Sequence, residues 1–253
     1  MTATGTVYLV GAGPGATDLL TVRAANLLRR ADIVFHDALV PAETLALASG
    51  ARIVAVGKRC GRLSTAQRFI NKQLADAAKR YEVVVRLKGG DPMLFGRAQE
   101  EIGALRQAGI AVEIVPGVSA ALSASADVGQ SLTERGVSRS VTLLTPRVGI
   151  GEDAHDWALP AAAADTIALY MASRQASVIG EGLIAAGVCP SRPAIFVENA
   201  SLPSRRIIAT RVGDLAESAQ QLGDGPALLL VGSVYESIVS VDQQLGPARR
   251  ITA

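Results

Sequence analysis

The sequence has few of the side chains that build metal centres or disulfide frameworks. Its 253 residues include two histidines and two cysteines, Cys60 and Cys189. Two cysteines so far apart do not make a disulfide framework, and two histidines leave little room for a His-based metal site. We therefore predict no bound metal and free thiols, which are the usual state of cysteines in the cytoplasm.

Long hydrophobic runs are also missing. No apolar segment approaches the ~20 residues that cross a bilayer, and residues 1–6 lack the basic segment and apolar core of an export signal. We therefore predict a cytoplasmic protein with no membrane partner. The formal net charge of +2 is too small for strong non-specific attraction to nucleic acid, so no nucleic-acid partner is expected.

Apolar residues are abundant at 49% of the chain, and strand-like runs alternate with helical patterns, which is typical of α/β architecture. The length allows two modest domains, and we predict two α/β lobes, residues 1–134 and 135–253. Residues 146–165 lack periodicity and are predicted to form a surface loop, while Glu100 and Glu101 are expected to face solvent. The predicted strands are Val7–Val10, Ile33–Phe35, Ile53–Val56, Val83–Leu87, Val112–Val115, Val141–Thr145, Ile167–Met171, Ala194–Val197 and Leu228–Val231.

A glycine-rich turn, Gly11-Ala12-Gly13-Pro14-Gly15, follows the first predicted strand. A dinucleotide-binding fingerprint would need a helix that starts inside this turn, and an acid about twenty residues later. Asp32 or Asp37 could supply that acid. However, Pro14 removes an N–H group from the turn, and the predicted helix starts only near Asp18. The turn is better suited to form a rigid platform at the end of the strand.

Three more strand ends carry residues suited to a binding site. Val83–Leu87 leads into Gly89-Gly90-Asp91-Pro92, in which the glycines let the backbone lie bare against a ligand. Asp37 and Lys58 follow the second and third strands. Each feature alone is explained by a tight turn, a helix cap or a solvated turn. Together they predict one ligand site, because the carboxyl ends of parallel strands share an edge.

These residues, in their order and spacing, resemble a known family over essentially the whole chain, from about Val7 to Leu245. The family is that of the uroporphyrinogen-III C-methyltransferases, tetrapyrrole methylases that use S-adenosylmethionine. The segments that carry the resemblance are Val10–Gly15, His36-Asp37-Ala38-Leu39-Val40, Gly57-Lys58-Arg59, Val85–Gly96, Val115–Ala120 and Gly136–Val141.

The resemblance implies a two-lobed α/β enzyme, usually a homodimer, with S-adenosylmethionine in the cleft between lobes and S-adenosylhomocysteine as product. The tetrapyrrole substrate, uroporphyrinogen III, would be methylated at C2 and C7 to give precorrin-2, for sirohaem and cobalamin. Asp37 and Lys58 match the family's proton-handling residues. The positions that match cofactor contacts are Pro14, Gly89, Gly90, Asp91, Leu94, Ser119, Ala120, Met171, Ala200 and Ala227.

Arginines near these motifs suit an octacarboxylate substrate, because a guanidinium binds a carboxylate through two hydrogen bonds. The expected substrate-binding residues are Arg62, Arg97, Arg135 and Arg139.

The chain also departs from the family pattern, mainly on the substrate side. Ser131 replaces a proline, Glu134 replaces a histidine, and Pro146-Arg147 replaces Gly-His, while Ser119 keeps the hydroxyl of the usual threonine. These changes leave two alternatives open. The protein could methylate a different precorrin or another electron-rich substrate, or it could bind S-adenosylmethionine without catalysis.

Overall fold

The computed structural model describes residues 4–57, 67–147 and 155–245, with the last four of these as backbone only. The chain divides into two compact units, Met1–Ala120 and Ala121–Ala253, and each is built on a sheet with helices. The predicted α/β architecture with two lobes is therefore confirmed. The division comes earlier than residue 134, because Ala121 and Ala124 pack into the apolar core of the second unit.

The first unit contains a five-stranded sheet in the order β3-β2-β4-β1-β5. All of its strand pairs are parallel. Parallel pairing places the carboxyl ends of these strands at one edge of the sheet. The strands are β1 (Thr6–Gly11), β2 (Ile33–His36), β3 (Arg52–Ala55), β4 (Val83–Lys88) and β5 (Val112–Val115).

Helices cover both faces of this sheet. Side chains alternate between the two faces along each strand, so every strand contributes residues to both layers. Helix α1 (Val22–Arg29) packs against Val85 and Leu87. Helix α2 is the short segment Ala42–Leu45, between β2 and β3. Helices α3 (Gln67–Ala78) and α4 (Ala98–Gln107) bury Leu74 and Leu105 with Val84 on the other face. Arg86 and Lys88 follow the alternation of Val84, and they therefore point towards α3 and α4.

The second unit has a mixed sheet in the order β6-β7-β10-β8-β9, in which β6 and β7 are parallel and the other neighbours antiparallel. Strand β9 was not predicted, since only Ile208 and Thr210 of its residues are buried. The strands are β6 (Val141–Leu144), β7 (Thr166–Leu169), β8 (Pro193–Glu198), β9 (Arg206–Arg211) and β10 (Ala227–Gly232). The helices are α5 (Ala120–Val128), α6 (Ala158–Ala162), α7 (Ala176–Ala185), α8 (Leu215–Ala219) and α9 (Glu236–Leu245).

The predicted surface loop at residues 146–165 is in part a packed segment. It contains α6, whose Ala161 is fully buried, and the preceding Trp157 packs against the same apolar core. A Cβ atom at Gly182 would lie 3.0 Å from the Trp157 ring, so the indole covers a glycine of α7. The loop prediction is therefore wrong for this part, because a run rich in alanine shows too little contrast to reveal its buried face.

No helix in the described residues has the length and apolarity required to cross a bilayer.

Asp165 holds the turn before β7 to the segment before β6. Its Oδ2 accepts hydrogen bonds from the Arg139 and Ser140 main-chain N–H groups at 2.8 and 3.0 Å, and from the Ser140 hydroxyl at 2.9 Å. The main-chain bond from Arg139, followed by the bonds from Ser140, lowers the pKa of the Asp165 carboxyl from its ordinary 3.8.

We expect Asp165→Asn to lower the thermal midpoint at pH 7, and we expect the difference from wild type to shrink below about pH 4. A carboxyl whose pKa is lower in the folded state contributes stability above its unfolded pKa and loses it as the pH falls through the folded value. Thermal unfolding followed by circular dichroism, at pH 7 and at a pH below about 4, measures the difference in thermal midpoint. Asp224→Asn, at an exposed position, is the control. An equal difference at both pH values would contradict the prediction.

Candidate functional site

The ends of β1 and β4 are joined at the carboxyl edge of the first unit's sheet. The Gly13 N–H donates to the Gly90 carbonyl at 3.2 Å, and the Gly90 N–H donates to the Gly13 carbonyl at 2.7 Å. The Ala12 N–H adds a bond to the Lys88 carbonyl at 2.7 Å. The glycine-rich turn and the Gly-Gly-Asp-Pro turn, separate in sequence, therefore form one rigid surface.

The joined turns leave no room for side chains at Gly11 and Gly117. A Cβ atom at Gly11 would lie 2.6 Å from the Gly117 nitrogen and 2.7 Å from the Gly90 carbonyl oxygen, and a Cβ atom at Gly117 would overlap the same oxygen. Gly90 has φ +67°, a conformation that favours glycine, and a Cβ atom there would meet nothing within 4 Å. The edge thus presents main-chain groups beside open space.

Asp91 connects the loops that follow β4 and β5. Its Oδ1 accepts the Met93 N–H at 2.8 Å, and its Oδ2 accepts the Gly117 N–H at 2.9 Å. Both carboxylate oxygens therefore hold the backbone of the site in place. Its predicted role in contacting a cofactor stays a prediction.

The dinucleotide-binding alternative fails on geometry. Helix α1 begins at Val22 and is capped by the Thr21 side chain, whose Oγ1 accepts the Ala24 N–H at 3.1 Å. The helix N-terminus is therefore not part of the glycine-rich turn, as a pyrophosphate site would require. Asp32 precedes β2 at the opposite edge of the sheet, where its Oδ2 accepts the Glu82 and Val83 N–H groups.

Asp37 directly follows β2 and lies at the site edge, as predicted. Arg86 donates from Nη2 to Asp37 Oδ1 at 2.6 Å, and the exposed fractions of the two side chains are 3% for Arg86 and 30% for Asp37. In the described part of the chain, Oδ2 of Asp37 has no hydrogen-bond partner. Arg86 thus fixes Oδ1, while Oδ2 is not engaged by any residue that the structure describes. Lys58, the second predicted proton-handling residue, lies outside the described residues.

A buried ionic cluster lies beneath this edge, and sequence reasoning missed it. Glu101 was expected to face solvent, but its side chain is fully buried and accepts hydrogen bonds from Arg86, Lys88 and Gln67. The expectation failed because Glu101 points from α4 towards the sheet. Two cations on one face of the otherwise apolar strand β4 were the available signal, since buried cations require a buried acid.

Burial is the main cause that lowers the pKa of Lys88, followed by the positive charge of Arg86. Glu101 and Asp37 oppose this shift.

The described residues contain no group of three or more His, Cys, Asp or Glu side chains that could hold a metal ion.

The predicted substrate arginines lie in different places. Arg97 directly precedes α4 and donates from Nε to Glu100 at 2.6 Å, with 59% of its side chain exposed. Arg135 lies in a tight turn closed by Glu134 and Ser138, and it is exposed, as is Arg139. Arg62 lies outside the described residues. Their roles in substrate binding stay predictions.

Glu134, the acid that replaces the family histidine, lies beside Gln130. Its Oε2 accepts the Gln130 side-chain N–H at 3.2 Å. Among the residues that the structure describes, it forms no ion pair with Arg135. Its negative charge is therefore not neutralised within the turn.

The second unit brings three predicted cofactor residues to one edge of its sheet. Strands β7 and β8 are both antiparallel to β10, so they end where β10 begins. Met171 follows β7 and Ala200 follows β8, while Ala227 starts β10 and pairs with Glu198. The side chain of Met171 is exposed, and its sulfur lies 3.9 Å from Nη1 of Arg147.

Left-handed backbone at non-glycine residues marks both edges. In the described part of the chain, five such residues lie in loops that follow strands, with φ between 52° and 70°. They are Phe95, Arg97, Met171, Asn199 and Ser201. Such conformations are costly and cluster at functional sites. Of the five, only Asn199 is of a residue type that is enriched in this conformation, so the sequence gives no signal for the other four.

The other predicted cofactor residues of the first unit also lie on the loops of its site edge. Pro14 follows the Gly13–Gly90 bridge, Leu94 lies between β4 and α4, and Ser119 and Ala120 follow β5. All four are partly exposed. The structure therefore brings them together with the glycines.

The chain is similar to known proteins over most of its length. The family of Tetrapyrrole (Corrin/Porphyrin) Methylases matches residues 6–216. The uroporphyrinogen-III C-methyltransferase of Pseudomonas aeruginosa is 41% identical over 237 residues, which cover 93% of this chain and 96% of that protein. The siroheme synthase of a Psychrobacter species is also 41% identical, over 95% of this chain and 52% of that protein. The chain thus spans about half the length of the siroheme synthases that it matches.

A solved structure gives the same result for the fold. The uroporphyrin-III C-methyltransferase of Thermus thermophilus, complexed with S-adenosylhomocysteine, superposes with a TM-score of 0.81 at 38% identity, covering 92% of this chain and all of that one. Sequence and fold agree across nearly the whole length, and the chain belongs to the tetrapyrrole methylase family.

Proposed function

We propose that the protein is an S-adenosylmethionine-dependent C-methyltransferase that methylates uroporphyrinogen III at C2 and C7, giving precorrin-2 for sirohaem and cobalamin. The observation that carries the proposal is the close-packed backbone of Gly11, Gly90 and Gly117, partly exposed at Gly90 and Gly117, next to the Asp37–Arg86 pair. A relative of almost equal length that bears the name of this activity supports it.

The residues present fit the cofactor. The Gly90 N–H is bonded to Gly13, but its carbonyl oxygen, which accepts one hydrogen bond from Gly13, keeps a second acceptor site. Open space lies where a side chain at Gly90 would stand, which leaves room for a ligand against the backbone. When bound, S-adenosylmethionine supplies an electrophilic methyl group on a sulfonium. We propose as its contacts Pro14, Gly89, Gly90, Asp91, Leu94, Ser119 and Ala120 in the first unit, and Met171, Ala200 and Ala227 in the second.

The chemistry requires alignment and the removal of a proton. A pyrrole carbon attacks the methyl group in line, and the sulfur leaves with the bonding pair as a thioether. Positioning of this kind can contribute about 7–11 kcal/mol. The methylated ring must then lose or relocate a proton, which Asp37 takes as general base through Oδ2, the oxygen that Arg86 does not bind. Lys58 is the second proposed proton-handling residue.

The substrate carries carboxylates around its rim, and Arg62, Arg97, Arg135 and Arg139 are the proposed partners. Guanidinium groups suit this role because they remain charged and bind carboxylates through two hydrogen bonds. Arg97 and Arg135 are both exposed, and the Arg97 guanidinium is bonded to Glu100. We further propose that the protein acts as a homodimer in the cytoplasm.

The direct test is incubation of the protein with uroporphyrinogen III and methyl-labelled S-adenosylmethionine under reducing, anaerobic conditions. We expect label in precorrin-2 and in its monomethylated precursor. Binding of S-adenosylhomocysteine without label in these products would exclude the proposed substrate. Label in a later precorrin would then identify the methylase for a different substrate, and the absence of turnover with every tetrapyrrole would indicate a non-catalytic binding protein.

We expect Met171→Ala to weaken the affinity for S-adenosylhomocysteine by about tenfold, since the methionine side chain, exposed in the free protein, would lose the apolar area that it buries against the bound ligand, at a cost of about 1.4 kcal/mol. Isothermal titration calorimetry measures the change. Val178→Ala removes an exposed apolar side chain from α7 and serves as the control. Unchanged affinity in Met171→Ala would remove this residue from the proposed cofactor contacts.

A further inference from the structure

Glu101 is a buried carboxylate that binds two cations of strand β4. Its Oε1 accepts hydrogen bonds from Arg86 Nε at 3.1 Å and from Lys88 Nζ at 3.1 Å, and its Oε2 accepts from Lys88 Nζ at 3.3 Å. Gln67, at the start of α3, donates to Oε1 at 3.0 Å. The side chain has no exposed surface. Its position in the first turn of α4 also favours the negative charge.

Arg86 connects this carboxylate to the site edge. Its Nε bonds Glu101, its Nη1 donates to the Leu87 carbonyl at 3.1 Å, and its Nη2 donates to Asp37 Oδ1 at 2.6 Å. Three bonds on one planar guanidinium fix its orientation. Asp37 therefore accepts a hydrogen bond from the Arg86 guanidinium, whose own position is held by the buried Glu101.

We propose that Glu101 is a positioning residue for methyl transfer, which holds Arg86 and thereby fixes Asp37 with one oxygen bonded and the other available. This inference rests on the proposed function. Glu101 touches neither substrate nor cofactor in this scheme. It acts through Arg86, because a guanidinium released from Glu101 could follow Asp37 into several orientations. A misplacement of about 1 Å can slow a reaction by ~10².

A purely structural role is the alternative. Glu101 would then serve only to neutralise the buried Arg86 and Lys88, and its removal would lower stability and the fraction of folded protein. The two roles differ in their dependence on Asp37. A positioning residue has no further effect once Asp37 is gone, whereas a structural residue has the same effect with or without it.

The test is a double-mutant cycle of Glu101→Gln and Asp37→Asn. Turnover with uroporphyrinogen III is divided by the number of sites that bind S-adenosylhomocysteine, so that unfolded protein does not contribute. We expect Glu101→Gln to lower turnover by about tenfold or more. The neutral amide keeps one acceptor oxygen but leaves Arg86 and Lys88 buried without a counter-charge, and its nitrogen is a donor that cannot accept from Lys88, so the cluster that holds Arg86 is broken. The affinity for S-adenosylhomocysteine should stay within about twofold of wild type. We expect the double variant to be no slower than Asp37→Asn alone. Glu113→Gln, an exposed glutamate of the first unit, is the control for the substitution.

Wild-type turnover in Glu101→Gln, or losses that multiply in the double variant, would overturn the inference and leave the proposed function intact. A wild-type protein that fails to methylate uroporphyrinogen III would overturn the proposed function and the inference with it. If Glu101→Gln does not fold, Lys88→Met with Glu101→Met replaces the buried ion pair by apolar side chains, which is often tolerated. This variant keeps Arg86 and Asp37. Full turnover in this variant would overturn the inference. Slow turnover that Asp37→Asn does not lower further would support it.

Discussion

Asp37→Asn is expected to lower turnover by a factor of ~10² or more, which is the usual contribution of a general base. Asparagine keeps the shape of the side chain and an oxygen that can accept the Arg86 hydrogen bond, but it does not accept a proton from the methylated ring. The affinity for S-adenosylhomocysteine should stay within about twofold, because the backbone surface is unchanged. Initial rates of transfer of labelled methyl groups, together with calorimetry, separate the two effects.

Asp32→Asn is the matched control for this prediction. Asp32 precedes the same strand, β2, at the opposite edge of the sheet, where it accepts hydrogen bonds from Glu82 and Val83. We expect this variant to lose some stability and to keep its turnover per binding site. Equal turnover in Asp37→Asn and wild type would contradict the proposed role of Asp37.

Gly117→Ala is expected to give the second large effect, on both folding and binding. The added methyl group would overlap the Gly90 carbonyl oxygen, and a backbone atom in this bridge cannot move aside cheaply. We expect the free energy of unfolding to fall by about 3 kcal/mol. We also expect the affinity for S-adenosylhomocysteine to fall by about tenfold or more, since the backbone proposed to contact the ligand would be displaced. Urea denaturation and calorimetry measure the two quantities.

Gly103→Ala provides the comparison, because the same methyl group is added where space exists. Gly103 lies in helix α4, and a Cβ atom there would meet nothing within 4 Å. Alanine should stabilise the helix by about 1 kcal/mol and leave binding unchanged. If Gly117→Ala retained wild-type stability and affinity, the backbone of the three strand ends would not be the rigid surface that the proposal requires.

The sequence predicted well which residues stand at the strand ends of the first unit, because each described strand end carried its own signal. Asp37 and the Gly-Gly-Asp-Pro turn follow short runs of β-branched residues, and parallel strands place such ends together. The glycine-rich turn was also placed correctly, although its partner was not foreseen. Bonding of Gly13 to Gly90 depends on the sheet order, in which β1 lies beside β4.

Other features could not be predicted from local pattern. The burial of Glu101 depends on which face of α4 meets the sheet, and the neighbouring Glu100, of the same residue type, is exposed. Strand β9 shows two buried side chains between arginines, which is too little for a strand signal. The left-handed backbone of Met171 could not be predicted either, because methionine does not favour that conformation and the loop around it imposes the strain.

The amino-acid sequence by itself determined the α/β class, the identity of the glycine turns and the family to which the chain belongs, because these depend on residue types at fixed spacing. Only the tertiary structure decided which groups meet. It paired Arg86 with both Asp37 and Glu101, and it brought Gly11, Gly90 and Gly117 into contact. The physical reason is that sheet order and helix orientation are set by burial of the whole apolar core, which no single motif encodes.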